Sequence, residues 1–396
     1  MFKNVYVPYK GYWSSPFCSW QGSFQNQNAV ELAAATAKKF FELRGITPDI
    51  FDGLVFGATI PQKGWFFDGP QFAMLAGNPQ LSGPRISQAC ATSTASLNVA
   101  ASYIASGNYA NVLVATCDRS SNCPNILWPN PAGLGGKPDY ESWMVDGFNL
   151  DPTAGVSPAA TATLVAKERG ITREESDAVV LSRYLKYADS LADDRKFQKR
   201  YMLPVEVQLS RKKSIVVEGD EGIIASTAEG LAKLRTVSPD SILTFGAQTH
   251  AADGNGGMIV TTKEKADELS ADKAVSIQIL SYGFARVRKA HMPEAPVPAS
   301  KQALEKAGIK VSDLAAVKTH NPFSVNDIIM RKDMGIDDGI FNNYGSSLIY
   351  GHPQGPTVMR LFIELIEELV LKGGGYGLVV GCAAGDSGAA LVVKVN

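Results

Sequence analysis

Short apolar runs alternate along the chain with longer, alanine-rich stretches in which polar residues recur, the pattern of a sheet interleaved with helices. Leu54-Val-Phe-Gly57 and Asn111-Val-Leu-Val-Ala-Thr116 predict buried strands. Ala29 to Leu43 and Ser93 to Ser106 predict helices. Small residues dominate the second helix, so it is expected to pack closely inside a core rather than face water. The fold class that follows is α/β.

A weak internal repeat extends this reading. Gly45-Ile-Thr-Pro-Asp49-Ile, then a strand, is echoed by Gly308-Ile-Lys-Val-Ser-Asp313-Leu and the apolar run Ala316-Val-Lys-Thr-His320. Cys90 opens a helix that is followed by the strand Val112 to Thr116. His352 opens another, Pro356 to Leu371, followed by the strand Tyr376-Gly-Leu-Val-Val380. Cys90 and His352 therefore hold matching places in two similar halves. Sites in such sheets form where helices begin, beyond the carboxyl ends of strands. A two-fold packing of the halves brings those helix starts together.

The stretch from Arg119 to about Thr249 differs in character. It holds Pro/Gly-rich turns (Pro129-Asn-Pro131, Gly133-Leu-Gly-Gly136-Lys-Pro138) and charged helices expected over Lys167 to Asp177 and Arg183 to Arg200. It reads as an insertion, after which Ala251 to Val260 is expected to be the last strand of the first half. Trp13, Phe17, Trp20, Trp65-Phe-Phe67, Trp128, Trp143 and Phe148 fall in loop-like contexts. Exposed aromatics often mark partner or ligand surfaces, though ordinary packing is the default reading.

Composition narrows the function classes. The 396 residues are 45% hydrophobic and 19% charged with a formal net charge of -1, so no global field recruits nucleic acid or anionic membrane. No stretch approaches the roughly 18 uninterrupted apolar residues of a membrane span, and residues 1–13 lack a signal-like apolar run. The five cysteines suggest no disulfide framework, which makes a reducing cytoplasm the expected compartment. Cys117 and Cys123 lack a second ligand pair for zinc. Neither a P-loop nor a dinucleotide fingerprint occurs, so no metal and no resident cofactor are expected.

Four segments carry candidate chemistry: Ser87-Gln-Ala-Cys90-Ala-Thr-Ser-Thr94, His320-Asn-Pro-Phe323, Tyr350-Gly-His352-Pro-Gln-Gly355 and Gly381-Cys382-Ala-Ala-Gly-Asp-Ser-Gly388. Cys90, at a helix start, meets unpaired N–H groups and the positive end of the helix dipole, which favour thiolate. The alternative is an inert buried cysteine. His352, between Gly351 and Pro353, is rigidly aimed, as a base for Cys90 or an oxyanion donor, or else as a local cap. Cys382 enters a run of small residues whose N–H groups can converge on an anion, and its thiol can shuttle a proton. It is otherwise a small residue beside a crowded loop. His320 ends a strand and suggests a site wall, or a satisfied core histidine.

The order and spacing of these segments resemble those of the thiolase family from about residue 30 to the end. Specific matches are Gly351-His-Pro-Gln-Gly355 with Asn343-Tyr-Gly345 before it and Arg360 after it, and Cys382 leading into Gly385-Asp-Ser-Gly388. Asp253-Gly254 and Met292-Pro-Glu-Ala-Pro-Val-Pro-Ala299 match further family segments. The resemblance implies two similar βαβαβαββ halves in an α/β/α/β/α layering, with an inserted loop domain that binds coenzyme A. The expected units are 1–118 plus 251–272, 119–250 and 273–396. It implies that Cys90 takes the acyl group, that His352 activates it and that Cys382 serves the α-carbon as acid and base. The backbone N–H groups of Cys90 and Ala384 would form one oxyanion hole, and His320 with His352 would hold the thioester oxygen. Gln248, Thr249 and Phe323 would flank coenzyme A, a substrate rather than a cofactor, while Arg211-Lys-Lys213 could meet its phosphates or form a solvated charge run. A homodimer or dimer of dimers is implied.

Two departures bear on the substrate. Where most of the family has Asn-Glu-Ala-Phe this chain has His320-Asn-Pro-Phe323, nearer to sterol-carrier-type thiolases. Ala384 also replaces a glycine. In general character the chain resembles thiolases paired with a small zinc-ribbon/OB-fold protein, such as those cleaving 2-benzoylsuccinyl-CoA to benzoyl-CoA and succinyl-CoA in anaerobic toluene breakdown. Alternatives are a short-chain acetyl-CoA C-acetyltransferase acting on acetoacetyl-CoA and a non-catalytic acyl-CoA-binding subunit. The related ketoacyl and hydroxymethylglutaryl synthases lack a catalytic cysteine at the Cys382 position.

Overall fold

The computed structural model describes all 396 residues. Eleven of its strands join in one sheet of two similar halves, and two separate two-stranded ribbons lie outside it. In the C-terminal half, Leu314–His320 runs parallel to Gly375–Ala383, which pairs antiparallel with Ser387–Val395, itself antiparallel to Ile277–Arg286. The N-terminal half repeats the scheme: Gly53–Gly57 is parallel to Asn111–Arg119, which pairs with Ala252–Thr261 and through it with Tyr12–Ser14. Tyr6 joins the halves, facing Thr261 on one side and Gln278 on the other.

The helices Thr92–Ala105 and Gln354–Leu371 pack against each other and against strands of both halves, forming the middle layer. Ala29–Arg44 covers the outer face of one half and Pro296–Ala307 that of the other. The architecture is the expected α/β/α/β/α layering. The repeat is also visible at the helix ends. Gly45 and Gly308 close their helices in the left-handed region, at φ 62° and 71°. Each is followed by a 3-10 turn, Pro48–Ile50 or Val311–Asp313, and then a strand.

A helix in the middle layer buries its charges, and burial is tolerable only with partners. Arg360 binds both oxygens of Asp220, at 2.6 and 2.8 Å, and reaches Glu364 at 2.9 Å. The Tyr201 hydroxyl donates to Glu364 at 2.6 Å. Asp220 and Tyr201 belong to the inserted stretch, which these contacts fasten to the central helix.

That stretch leaves the sheet after Arg119 and rejoins it at Ala252, where Asp253 pairs with Arg119. Its helices run over Pro158–Glu168 and Arg173–Ser190, not the expected Lys167 to Asp177 and Arg183 to Arg200. Local chemistry sets the break: Gly170 turns left-handed at φ 60°, and Thr172 with Glu175 forms a capping box that starts the second helix. The aromatics divide as well. Trp13 and Phe17 are fully buried, Trp13 beside Phe40 and Phe41 and Phe17 beside Tyr350, so these two follow the default of ordinary packing. Trp20, Phe66, Phe67, Trp128 and Phe148 are exposed. No helix is long and apolar enough to cross a membrane.

Candidate active site

The short strand Arg85–Ile86 runs beside Phe56 and Gly57 and delivers the chain into a tight turn. Ala89 sits at φ 45°, a conformation that costs energy in any residue with a Cβ. Thr92 holds it, its hydroxyl accepting the Gln88 N–H at 2.8 Å and donating to the Ala89 carbonyl at 2.7 Å. Cys90 follows on the crest of this turn, two residues ahead of the Thr92–Ala105 helix. It keeps part of its surface open, while its sulfur meets buried neighbours.

The second half supplies the histidine. Gly351, at φ 89°, admits a turn that brings the His352 N–H onto the His250 carbonyl at 2.9 Å. His352 Nε2 then lies 3.0 Å from Cys90 Sγ, and Nδ1 lies 2.6 Å from the Thr357 hydroxyl. Gly355 donates its N–H to Asp118 at 2.7 Å, and Asp118 also accepts from Thr59 and Ile60, which ties this turn to the first half. As read from the repeat, the two helix starts face each other.

His320 stacks on His352 with ring centroids 4.0 Å apart. Its Nδ1 lies 2.8 Å from the Ser347 hydroxyl, and its Nε2 is buried without a partner. Cys382 is fully buried, and its Sγ accepts from Asn326 Nδ2 at 3.3 Å. The strand carrying it runs on to Ala383, three residues beyond its expected end at Val380. The loop after it is pinned by carboxylates: Gly385 donates to Asp151 at 2.7 Å, and Asp386 accepts from Ala290 and His291 at 2.8 and 2.9 Å.

Burial pushes the Cys90 thiol up to about 12, while the nearby backbone N–H groups of Cys90 and Ala384 oppose the rise. Burial likewise lowers His352 to about 3. The resting pair is therefore thiol and neutral imidazole. This differs from the expected leaning toward thiolate: Cys90 precedes the helix rather than occupying its first turn, and desolvation is the largest influence on its thiol. Burial and the neighbouring Cys90 raise Cys382, opposed by Asn326. Burial, then His352, lowers His320.

Cys90, His320, His352 and Cys382 are thus gathered with the Ala384 N–H. Gln248, Thr249 and Phe323 lie alongside: Gln248 bridges to Phe323, and Thr249 donates its N–H to the Pro322 carbonyl at 2.7 Å and its hydroxyl to Ser347 O at 2.5 Å. Arg211, Lys212 and Lys213 stand apart, exposed at the tip of the Val205–Val217 hairpin. Cys90 Sγ and a ring nitrogen of each histidine lie within 4.8 Å of one another, a donor set suited to a soft divalent metal. The rings stack at an interplanar angle of only 28°, however, so their nitrogen lone pairs do not converge well on one point. Sequence reasoning missed Thr357, Ser347, Asn326 and Asp151. Thr357 had a signal, five residues after His352 at the start of a helix, but the others are polar residues of common type.

Residues 13–264 match the family model described as the thiolase N-terminal domain, and residues 273–395 match the thiolase C-terminal domain. The chain belongs to the thiolase family. This thiolase is 30% identical over 383 residues to an acetyl-CoA acetyltransferase of Rhizobium meliloti, covering 95% of each chain. It is 27% identical over 390 residues to a 3-ketoacyl-CoA thiolase of Bacillus subtilis, again covering 95% of each. It superposes on the crystal structure of the Bacillus anthracis acetyl-CoA acetyltransferase with a TM-score of 0.91 at 25% identity, covering 100% of this chain and 99% of the other. This thiolase is accordingly an enzyme of the acyl-CoA C-acyltransferase type, and its chemistry depends on cysteine.

Proposed function

We propose that the enzyme exchanges an acyl group between the α-carbon of an acyl-CoA and the sulfur of coenzyme A, through a thioester on Cys90. The observation that carries this reading is the Cys90 sulfur 3.0 Å from His352 Nε2, at the point where His320, stacked on His352, and a second thiol, Cys382, also converge. In the cleavage direction His352 takes the Cys90 proton as Sγ attacks the β-carbonyl carbon. The N–H groups of Cys90 and Ala384 receive the resulting oxyanion. The bond between the α- and β-carbons then breaks, the departing enolate oxygen resting on His320 and His352. Cys382 protonates the α-carbon, and the thiolate so formed is reprotonated by the incoming coenzyme A thiol. Attack of that sulfur on the Cys90 thioester releases the second acyl-CoA and regenerates the free thiol.

The substrate proposed is a short-chain β-ketoacyl-CoA, with acetoacetyl-CoA as the reference compound. The support is that the acetyl-CoA acetyltransferases above align with nearly the whole chain. An aryl substrate such as 2-benzoylsuccinyl-CoA is the second reading. The observation favouring it is the Trp143–Asn149 helix, which carries Phe148 and sets Met144 Sδ 3.8 Å from Gln354 Nε2, beside the His352 turn. Residues 119–250 are proposed to bind coenzyme A together with Gln248, Thr249 and Phe323. A homodimer is proposed across the edge strand Arg85–Ile86, where Arg85 lies 4.3 Å over the half-exposed Trp65 ring. A zinc-ribbon/OB-fold partner would belong with the aryl reading.

The test is turnover of acetoacetyl-CoA and 2-benzoylsuccinyl-CoA with free coenzyme A, with intact-mass detection of the acyl adduct. An adduct on Cys90 that is lost in Cys90→Ser supports the mechanism. Turnover without an adduct refutes it. Preference for the aryl compound, with or without a partner protein, overturns the short-chain assignment.

A further inference from the structure

His320 is neutral at working pH, so its ring carries one proton, and the position of that proton decides what the residue can do. With the proton on Nδ1, the buried Nε2 can only accept, and it would repel the oxygen of a thioester or enolate. With the proton on Nε2, the same atom is a donor with no competing partner.

A chain of hydrogen bonds beneath the site bears on the choice. Arg183 and Asp327 form a fully buried ion pair at 2.7 Å. The carboxylate can only accept, so Asn321 must turn its amide nitrogen toward it, at 2.8 Å, and that nitrogen donates also to Ser346 Oγ at 2.9 Å. Asn321 Oδ1 is thereby fixed as the acceptor end and takes the Leu348 N–H at 3.0 Å. The Ser347 hydroxyl accepts the Asn321 N–H at 3.3 Å and has one proton to give. Two acceptors lie within reach of it: His320 Nδ1 at 2.8 Å, and Asn321 Oδ1 at 3.2 Å, one of whose two lone pairs already takes the Leu348 N–H. The shorter contact favours His320 Nδ1.

We propose that Ser347 is a positioning residue: it donates its hydroxyl proton to His320 Nδ1 and so presents His320 Nε2–H to the carbonyl or enolate oxygen of the substrate. The substrate half of this inference rests on the thiolase cycle proposed above. The tautomer half stands on the free enzyme alone. The arrangement is second-tier orientation of a catalytic imidazole, comparable to the partner that fixes a metal-ligating or triad histidine.

The experiment uses the full-length enzyme labelled with nitrogen-15 histidine, the His320 signals being identified by their loss in His320→Asn. The wild type is expected to show an unprotonated Nδ1 and a protonated Nε2, and Ser347→Ala to move the proton toward Nδ1. Cleavage of acetoacetyl-CoA should fall by about tenfold to a hundredfold in Ser347→Ala, the range for a weakened or lost oxyanion donor. Alkylation of Cys90 by iodoacetamide should stay near the wild-type rate, since the Cys90–His352 pair is untouched. Ser347→Thr, which keeps the hydroxyl, should restore both tautomer and cleavage. A wild-type ring protonated at Nδ1, a tautomer indifferent to Ser347→Ala, or a parallel loss of alkylation would each overturn the proposal. If the wild type cleaves no β-ketoacyl-CoA, the functional reading fails by itself, and the spectra still decide the role of Ser347.

Discussion

Replacing Cys382 by serine separates the two thiols by function. The side chain is fully buried and its sulfur accepts one hydrogen bond, from Asn326 at 3.3 Å. Serine keeps an acceptor there, so Asn326 is not stranded and the fold should lose no more than about 1 kcal/mol. The chemistry changes far more. Cys382 rests as a thiol, raised by burial and by Cys90, which is the form that delivers a proton to an enolate carbon. A serine hydroxyl is several orders of magnitude less acidic. Positioned acid–base catalysis contributes about 10² to 10⁴ in rate, or roughly 3 to 5 kcal/mol of barrier. Cys90 retains His352 at 3.0 Å, so it should still take an acetyl group from acetyl-CoA. The assay follows exchange of the acetyl-CoA α-hydrogens in deuterium oxide alongside acetyl-Cys90 by intact mass. Exchange should slow by at least about a hundredfold, while loading of the acetyl group persists. Exchange at the wild-type rate, or loading lost to the same degree as exchange, would refute the division of labour.

Thr357→Val removes the hydroxyl 2.6 Å from His352 Nδ1. It should cost about 1 to 3 kcal/mol of stability by stranding a buried ring N–H, and slow Cys90 alkylation by about 10² as the imidazole loses its fixed tautomer. Thermal melts and iodoacetamide kinetics check both. His320→Ala should slow cleavage of acetoacetyl-CoA by roughly a hundredfold, about 3 kcal/mol, yet spare hydrolysis of a simple acyl-thioester. Equal losses in the two assays would make His320 structural. Acid should destabilise the protein from near pH 6.5 downward. His352 titrates at about 3 in the folded enzyme and at about 6.5 unfolded, so the unfolded chain binds the extra proton between those values and stability falls with falling pH. At pH 5 this amounts to about 2 kcal/mol for His352, and His320, also lowered, adds in the same direction. Urea midpoints between pH 7 and 5 should show the slope, and His352→Asn should flatten it.

Local sequence was enough for the element types, the pairing of halves and the four segments of the site. Alternation of apolar runs with alanine-rich stretches is local information, and so are the glycines that end helices at Gly45 and Gly308. Cys90 and His352 were legible because each precedes a helix at the same place in its half. Tertiary structure decided what lies across long separations. The 3.0 Å contact between Cys90 and His352 spans 262 positions, and no local pattern encodes it. Burial, which exists only after folding, reversed the expected thiolate at Cys90 and left the thiol and the imidazole both neutral. The partners of Trp13 and Phe17 were not legible, because a three-residue strand and the loop after it carry almost no periodic signal; the core they join, Phe40, Phe41 and Tyr350, comes from elsewhere in the chain. Ser347, Asn326 and Asp151 were invisible as site residues for the same reason. A hydroxyl or an amide acquires a role only when a ring nitrogen or a sulfur is brought within hydrogen-bond distance, and packing alone does that.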